Sequence, residues 1–314
     1  MKKTISIICP VYNEEQTVPV FFERLQNALS EIAGSYEIQI IFVNNDSADR
    51  TLSIIKDLRA AHPNVNYLTL SRNFGHQSSL LCGLTHATGD AIVIVDADCE
   101  DPPELIPNFI RKWEEGFDII YGRRGDRPEG RGLLFLRRAF YRITSAIADN
   151  DFVVDMAEFG LMTQRVRNEV LRMRTNFPFI RNEISYVGFK QFGIDYDREQ
   201  RVGGKSSLNA VGLVRYALTG FLTASTFPLR LVAYLGAALL IANIAGTLVL
   251  LAEPSLGPPD ILYLLDFSFV IFGAGTISIY LARVYKNGLR RPVYIVDWQR
   301  SGWDGDRPAG DDVP

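Results

Sequence analysis

Along the first 125 residues, short runs of β-branched and aliphatic residues alternate with longer stretches whose apolar positions recur at helical spacing. Residues 5–9 (ISIIC), 38–43 (IQIIFV), 65–70 (VNYLTL), 91–96 (AIVIVD) and 118–122 (DIIYG) carry few polar interruptions and read as buried strands. Residues 18–33, 49–61, 76–87 and 103–115 read as the intervening helices, with Ser47 as N-cap of the second and Pro102 and Pro103 opening the fourth. This alternation predicts an α/β domain with a doubly wound, mostly parallel sheet. Ligands of such sheets gather beyond the carboxyl ends of the strands.

The pattern changes beyond residue 206. Residues 232–252 contain no charged side chain, and residues 261–282 form a second apolar run interrupted by Asp266. At 1.5 Å per residue each reaches roughly 30 Å, enough to cross a bilayer. The loop between them carries Glu253 and Asp260 but no Lys or Arg, whereas Arg215, Arg230, Arg283, Lys286, Arg290 and Arg291 flank the pair. That asymmetry places both termini on the cytoplasmic side. Asp266 falls near the outer interface, within reach of water. Ahead of the first run, Leu208, Val211, Val214, Leu218, Phe221 and Leu222 form a helical stripe suited to a membrane interface or a core-facing helix. The tail from Gly302 is rich in Gly, Pro and Asp and reads as disordered.

Composition narrows the function. With 33 Lys+Arg against 36 Asp+Glu, the net charge of −3 gives no general basic face for nucleic acid. Cys9, Cys82 and Cys99 are odd in number, widely spaced and set in apolar runs, which predicts free thiols rather than a disulfide framework or zinc site. The apolar stretch after Lys2 and Lys3 stops at Pro10, too short for a signal-peptide core.

The polar residues cluster after the strands, as PVYNEE (10–15), NNDSADRT (44–51), SRNFGHQ (71–77), DADCEDPPE (96–104) and GRR (122–124). Neither GxGxxG nor GxxxxGK[ST] occurs, so no dinucleotide fold or P-loop is indicated. Asp96 and Asp98 flank one small residue at a strand end, a spacing that lets two hard oxygen ligands meet one Mg²⁺ or Mn²⁺. A DxD alone is also common as a solvated strand end. His76 reads either as a ligand contact or as a packing residue, and His62 and His86 as surface.

PVYNEE, SRNFGHQ, DADCEDPPE, FYRI (140–143), GFKQ (188–191), REQR (198–201) and PLR (228–230), followed by two apolar runs, resemble the polyprenyl-phosphate glycosyltransferases. This group of family 2 glycosyltransferases includes dolichol-phosphate mannose synthase and bacterial undecaprenyl-phosphate sugar transferases. The resemblance covers nearly the whole chain. It implies a cytosolic GT-A catalytic domain over residues 1–206, an interfacial helix over 207–228, a two-helix transmembrane hairpin over 229–286 and a cytosolic end over 287–314. It further implies inverting transfer of a glycosyl group from a nucleotide-sugar to undecaprenyl phosphate at the cytoplasmic face of the membrane, with Mg²⁺ or Mn²⁺ and homo-oligomers such as tetramers. An asparagine carboxamide at 44–45, able to accept a base N–H, suits uracil or thymine and so a UDP-sugar first.

By the family pattern, Pro10, Tyr12, Glu14, Asn45 and Asp96 bind the nucleotide-sugar, and Asp96 and Asp98 hold the metal, with Glu100 adding a third, charged contact. Asp98, Glu158, Arg124 and Arg201 fall at catalytic positions, and Arg198, Arg201 and Lys205 at the lipid phosphate. The chemistry accounts for these residue types. Cleaving the anomeric bond leaves charge on a nucleoside diphosphate, which a cation and arginines neutralise, and the planar arginine fork matches phosphate oxygens.

The chain departs from the pattern in places. Asn44, Asn45, Asp46 and Ser47 stand where Asp-Asp-Gly-Ser is usual, Glu158 and Gly160 where GDFRL has its Asp and Arg, and GGKSS (203–207) where Ser-Lys-Tyr is expected. These changes keep open a degenerate domain that binds a nucleotide-sugar without turnover. A processive polysaccharide synthase would need QxxRW, whereas residues 299–303 read QRSGW. The basic run Arg123, Arg124, Arg127, Arg131, Arg137 and Arg138 is either a solvated helix face or an attractor for the anionic membrane surface.

Overall fold

A computed structural model describes residues 2–124, 156–173, 175–200, 225–253 and 260–305. The strands are β1 (Thr4–Val11), β2 (Glu37–Asn44), β3 (Val65–Thr69), β4 (Ala91–Ile94), β5 (Ile119–Arg124), β6 (Met156–Thr163) and β7 (Gln191–Tyr196). Alternation of side chains sends Ile5, Ile7 and Cys9 of β1 to one face of the sheet and Ile8 to the other. Both faces are covered, which is why the strand sequences are almost continuously apolar.

Helices α1 (Val18–Ser30) and α4 (Ile106–Glu114) pack on the first face through Phe21, Leu25, Phe109 and Ile110. On the second face lie α3 (His76–His86), α5 (Gln164–Arg172) and α6 (Ile180–Tyr186). α1 places Val18, Phe21, Phe22, Leu25 and Leu29 on its buried side, the spacing of an amphipathic helix. α2 (Thr51–Ala61) starts two residues later than its sequence pattern, and Ser47 does not cap it. The Ser47 hydroxyl instead accepts the Asn13 N–H at 3.0 Å, and Asp49 meets the first turn by accepting the Thr51 N–H at 3.0 Å.

The seven strands lie in the order β3-β2-β1-β4-β6-β5-β7. β6 runs antiparallel to both of its neighbours, and the remaining pairings are parallel. The sheet is mostly parallel, as the sequence predicts, with β6 as its one antiparallel strand and β7 beyond it at the edge.

α3 crosses β1 so closely that a Cβ on Gly83 would lie 2.3 Å from Ile8 Cγ2. Alanine normally favours a helix over glycine by about 1 kcal/mol, but overpacking a filled core costs about 1–3 kcal/mol. Gly83→Ala is therefore expected to lower the melting temperature of the detergent-solubilised protein. Ile8→Ala should cost less in the Gly83→Ala background than alone; additive losses would rule out this contact as the cause.

Beyond the sheet, α7 (Phe227–Ala252) and α8 (Asp260–Gly288) pair as a hairpin and are long and apolar enough to cross a membrane. α7 buries no residue, and Leu240, Ile241, Ile244 and Leu248 are exposed. Asp266 Oδ1 accepts the Asn243 Nδ2–H at 2.9 Å across the hairpin. The end of α8 touches the sheet domain. Asn176 donates its N–H to Asn287 Oδ1 at 3.0 Å and its amide to the Lys286 carbonyl at 2.7 Å, while Arg283 lies 4.7 Å from the Phe177 ring centre. Apart from residues 225–228, the expected interfacial helix over 207–228 lies outside the described residues.

The segment after α8 overturns two expectations. Residues 302–305, placed at the start of a disordered tail, dock on the sheet, and so does the 299–303 stretch. Gly302 and Val296 bridge Tyr67 and Leu70 beside β3 in antiparallel sense, covering an otherwise open sheet edge. His86, read as surface, is 2% exposed. Its ring centre sits 5.7 Å from that of Trp298 and 5.3 Å from that of Trp303, and its Nδ1 lies 2.8 Å from the Cys82 carbonyl. Cys9, Cys82 and Cys99 are free and buried.

Candidate active site

The chain moves outward from β1 through β2 to β3, then returns to lay β4 against the other side of β1. This reversal opens a crevice at the carboxyl ends of β1 and β4. The loops bearing Tyr12 and Asp96 meet there.

On the β1 side, Pro10 is buried within the strand, and Tyr12 emerges from its end 38% exposed. Glu14 ties the loop to the helices: its N–H donates to Thr51 Oγ1 at 2.8 Å and its carboxylate accepts the Thr17 hydroxyl at 2.6 Å. Asn45 is 4% exposed, and both ends of its amide face the next loop. Its Oδ1 accepts the Phe74 N–H at 2.9 Å, and its Nδ2 donates to Asn73 Oδ1 at 3.0 Å. This side chain braces the crevice wall.

On the β4 side, Asp96 and Asp98 are both partly exposed in the loop after the strand. Asp98 Oδ1 accepts the Glu100 N–H at 3.0 Å, holding the turn. Glu100 pairs with Arg198, and the Glu199 N–H donates to the Glu100 carbonyl at 2.9 Å. Two residues placed in different sites by the sequence, one at the metal and one at the lipid phosphate, thus neutralise each other.

Glu158 projects from β6 toward the same cluster. His76 Nε2 lies 2.8 Å from its Oε2 and 3.8 Å from Asp96 Oδ1, while Gln77 Nε2 donates to Glu158 Oε1 at 2.5 Å. Burial alone would raise the Glu158 carboxyl, but His76, Gln77 and the nearby Arg181 guanidinium hold it down to about 2. His76 is lowered by burial yet lifted further by Asp96 and Glu158, to about 9. Asp96 is pushed up to about 7 by burial, and Glu158, Asp98 and Asp101 add to the push against the opposing pull of His76. Three carboxylates and the His76 ring thus surround Asp96.

Arg124 ends β5, and its side chain, with Arg201, Lys205 and Arg127 to Arg138, lies outside the described residues. Arg123 pairs with Asp195, one bond measuring 3.0 Å. Gly160 leaves no space for the arginine usual in the family pattern, since a Cβ there would lie 2.5 Å from the Ile120 carbonyl. Sequence reading gave no role to Gln77, Arg181 or Arg300. Gln77 stood inside a recognised motif and Arg300 inside the 299–303 stretch compared with QxxRW, whereas nothing local marked Arg181.

Residues 6–182 match the model of Glycosyl transferase family 2. The chain belongs to glycosyltransferase family 2. This glycosyltransferase is 35% identical to a prophage bactoprenol glucosyl transferase homolog of Escherichia coli K12, over 93% of its own length and 98% of the relative's. It is 34% identical to the bactoprenol glucosyl transferase of Shigella phage SfV, over 93% and 97%, and 34% identical to the uncharacterized glycosyltransferase YkcC of Bacillus subtilis, over 93% and 92%. Its fold is of the GT-A type, a mixed sheet between helices with the loops of β1 and β4 at the crevice.

A divalent cation suits the donor set of this crevice. Asp96 and Asp98 offer hard oxygens one residue apart, with the Glu158 and Asp101 carboxylates nearby. Among the described residues no group of three or more His, Cys, Asp or Glu gathers in metal-binding fashion. Glu100, the third contact expected, is paired with Arg198.

Proposed function

We propose that this glycosyltransferase moves a glycosyl group, with inversion, from a UDP-sugar to a polyprenyl phosphate at the cytoplasmic face of a membrane. The observation that carries the reading is the path from the carboxylate cluster to the apolar hairpin. Gln77, which holds Glu158, accepts the Ile180 N–H at 2.9 Å through its Oε1. The loop just before Ile180 carries Asn176 and Phe177, which seat the end of α8. An acceptor whose chain lies in the membrane and whose phosphate enters the crevice fits this arrangement. Relatives bearing the name bactoprenol glucosyl transferase over almost their whole length support the same acceptor class.

The docked segment after α8 supports the topology, because it returns to the sheet domain that precedes α7. Both ends of the hairpin would then leave on one side, and the basic flanks at Arg230, Arg283 and Lys286 support reading that side as cytoplasmic.

In the proposed reaction, an oxygen of the acceptor phosphate attacks the anomeric carbon from the face opposite the nucleotide. The bond to the β-phosphate oxygen breaks, that oxygen keeps the electron pair, and the nucleoside diphosphate departs. A phosphate monoester with a second pKa of about 6 is already largely ionised at neutral pH, so no side chain needs to remove a proton. Asp96 and Asp98 would hold Mg²⁺ or Mn²⁺, which would supply charge neutralisation for the diphosphate. Tyr12 lines the nucleotide end, and Arg124 and Arg201 are assigned to the diphosphate. Lys205 is assigned to the acceptor phosphate, with Arg198 joining it on release from Glu100.

Purified full-length protein, undecaprenyl phosphate, Mn²⁺ and separate UDP-, dTDP- and GDP-sugars test the reading. A single UDP-sugar should yield glycosylated lipid and UDP in equal amounts, with product lost on adding EDTA. Nucleotide release without glycosylated lipid, or a polymeric product, would overturn it.

A further inference from the structure

The strap formed by residues 295–304 reaches the nucleotide end of the crevice as well as the sheet edge. Its backbone is fixed along β3. The Asp297 N–H donates to the Thr69 carbonyl at 2.7 Å, the Ser71 N–H to the Ile295 carbonyl at 2.9 Å, and the Tyr67 N–H to the Gly302 carbonyl at 2.9 Å. The Thr69 hydroxyl donates to the Arg300 carbonyl at 3.0 Å, and the Thr69 N–H to Ser301 Oγ at 2.8 Å. Arg59 adds a bond of 3.0 Å to the Gly302 carbonyl and an ion pair to Asp304. From this fixed backbone the Arg300 side chain extends to the turn after β2, where Nη1 meets Asp46 Oδ1 at 2.9 Å.

That turn is a junction of the crevice. Asn44 Oδ1 accepts the Ser47 N–H at 3.1 Å. Ser47 and Asn13 tie the turn to the loop of Tyr12, with Asn13 Oδ1 accepting the Ala48 N–H at 2.8 Å. Asn45 ties it to the loop of Asn73 and Phe74. Asp46 itself has φ of 60°, a left-handed conformation that Asp adopts more readily than most non-glycine residues and that glycine adopts freely. Asp46 also carries a negative charge at the end of the crevice assigned to an anionic nucleotide. A fixed guanidinium opposite this carboxylate holds the turn and cancels that charge.

We propose that Arg300, delivered by the segment that follows the second apolar helix, is a positioning residue of the donor site, setting the 44–47 turn for nucleotide binding through Asp46. The inference rests on the nucleotide-sugar reading above and adds a residue from beyond residues 6–182, the span matched by the family model.

The test uses full-length protein in detergent carrying Arg300→Ala, Arg300→Lys, Asp46→Gly, or Arg300→Ala with Asp46→Gly. Glycine at 46 removes the carboxylate while accepting the left-handed backbone. Affinity for UDP, dTDP and GDP with Mn²⁺ is measured by calorimetry, together with donor KM, kcat and melting temperature.

Because the pair is partly exposed, Arg300→Ala should weaken binding of the preferred nucleotide by about fivefold. It should raise donor KM in step and leave kcat and melting temperature unchanged, with Lys restoring part of the affinity. In the Asp46→Gly background, Arg300→Ala should have no further effect. Unchanged affinity, equal losses in both backgrounds, or a fall in kcat and melting temperature with KM constant would each overturn the proposal. Wild-type protein that binds none of the three nucleotides would instead overturn the donor reading, and no variant is needed to see it.

Discussion

Asp98→Asn is expected to slow glycosyl transfer by about 10²- to 10³-fold, the scale on which removal of one preorganised electrostatic contact acts. The substitution is well matched to the geometry. Asp98 Oδ1 accepts the Glu100 N–H at 3.0 Å, and an asparagine oxygen can accept the same bond, so the turn after β4 keeps its shape. What disappears is one of the two crevice carboxylates proposed to bind the cation. Mn²⁺ titration of the variant should show weakened binding, while its melting temperature stays that of the wild type. A variant that turns over at the wild-type rate would remove Asp98 from the mechanism. Weak turnover with unchanged Mn²⁺ affinity would move the cation elsewhere.

Glu158→Gln should reduce transfer by about 10²-fold, the cost typical of losing positional control at a reacting centre. Glu158 is held from both sides, by His76 at 2.8 Å and Gln77 at 2.5 Å. After Asp96, its hydrogen bond and charge also raise the affinity of the His76 ring for a proton. Glutamine fits the space but supplies no charge and presents an N–H to one of two donors.

Glu158→Asp restores the residue usual in the family pattern but withdraws the carboxylate by one methylene, so the His76 contact lengthens. Its activity should fall between wild type and Glu158→Gln. Equal activity of Glu158→Asp and wild type would show that the distance is not tuned; full activity of Glu158→Gln would show that the charge is not needed.

The strands nearest the centre of the sheet were legible because burial on both faces demands uninterrupted apolar sequence, as in ISIIC and AIVIVD. β6 and β7 escaped that logic. β6 is broken by Glu158 and Gly160, one turned into the crevice and the other pressed against the Ile120 carbonyl. β7 is an edge strand whose residues are mostly half-buried, so its apolar signal is weak. The polar loops that follow the strands mark the crevice in the sequence itself, because a parallel sheet puts its ligands at one end. Within them, however, a residue's type did not reveal its direction. Asn45 and Glu100 have the chemistry of ligands, yet Asn45 faces the Asn73–Phe74 loop and Glu100 faces Arg198.

By itself, the sequence determined the alternating architecture, the long apolar hairpin, the free buried thiols and the paired Asp96 and Asp98, since each follows from local periodicity or spacing. Tertiary structure alone decided the contacts between distant segments. It brought Glu158 to His76 across a separation of 82 residues and Arg300 to Asp46 across 254. It also buried His86 beneath Trp298 and Trp303. Local pattern carries no record of such pairings, because the geometry that makes them arises only when the sheet order and its edges are in place.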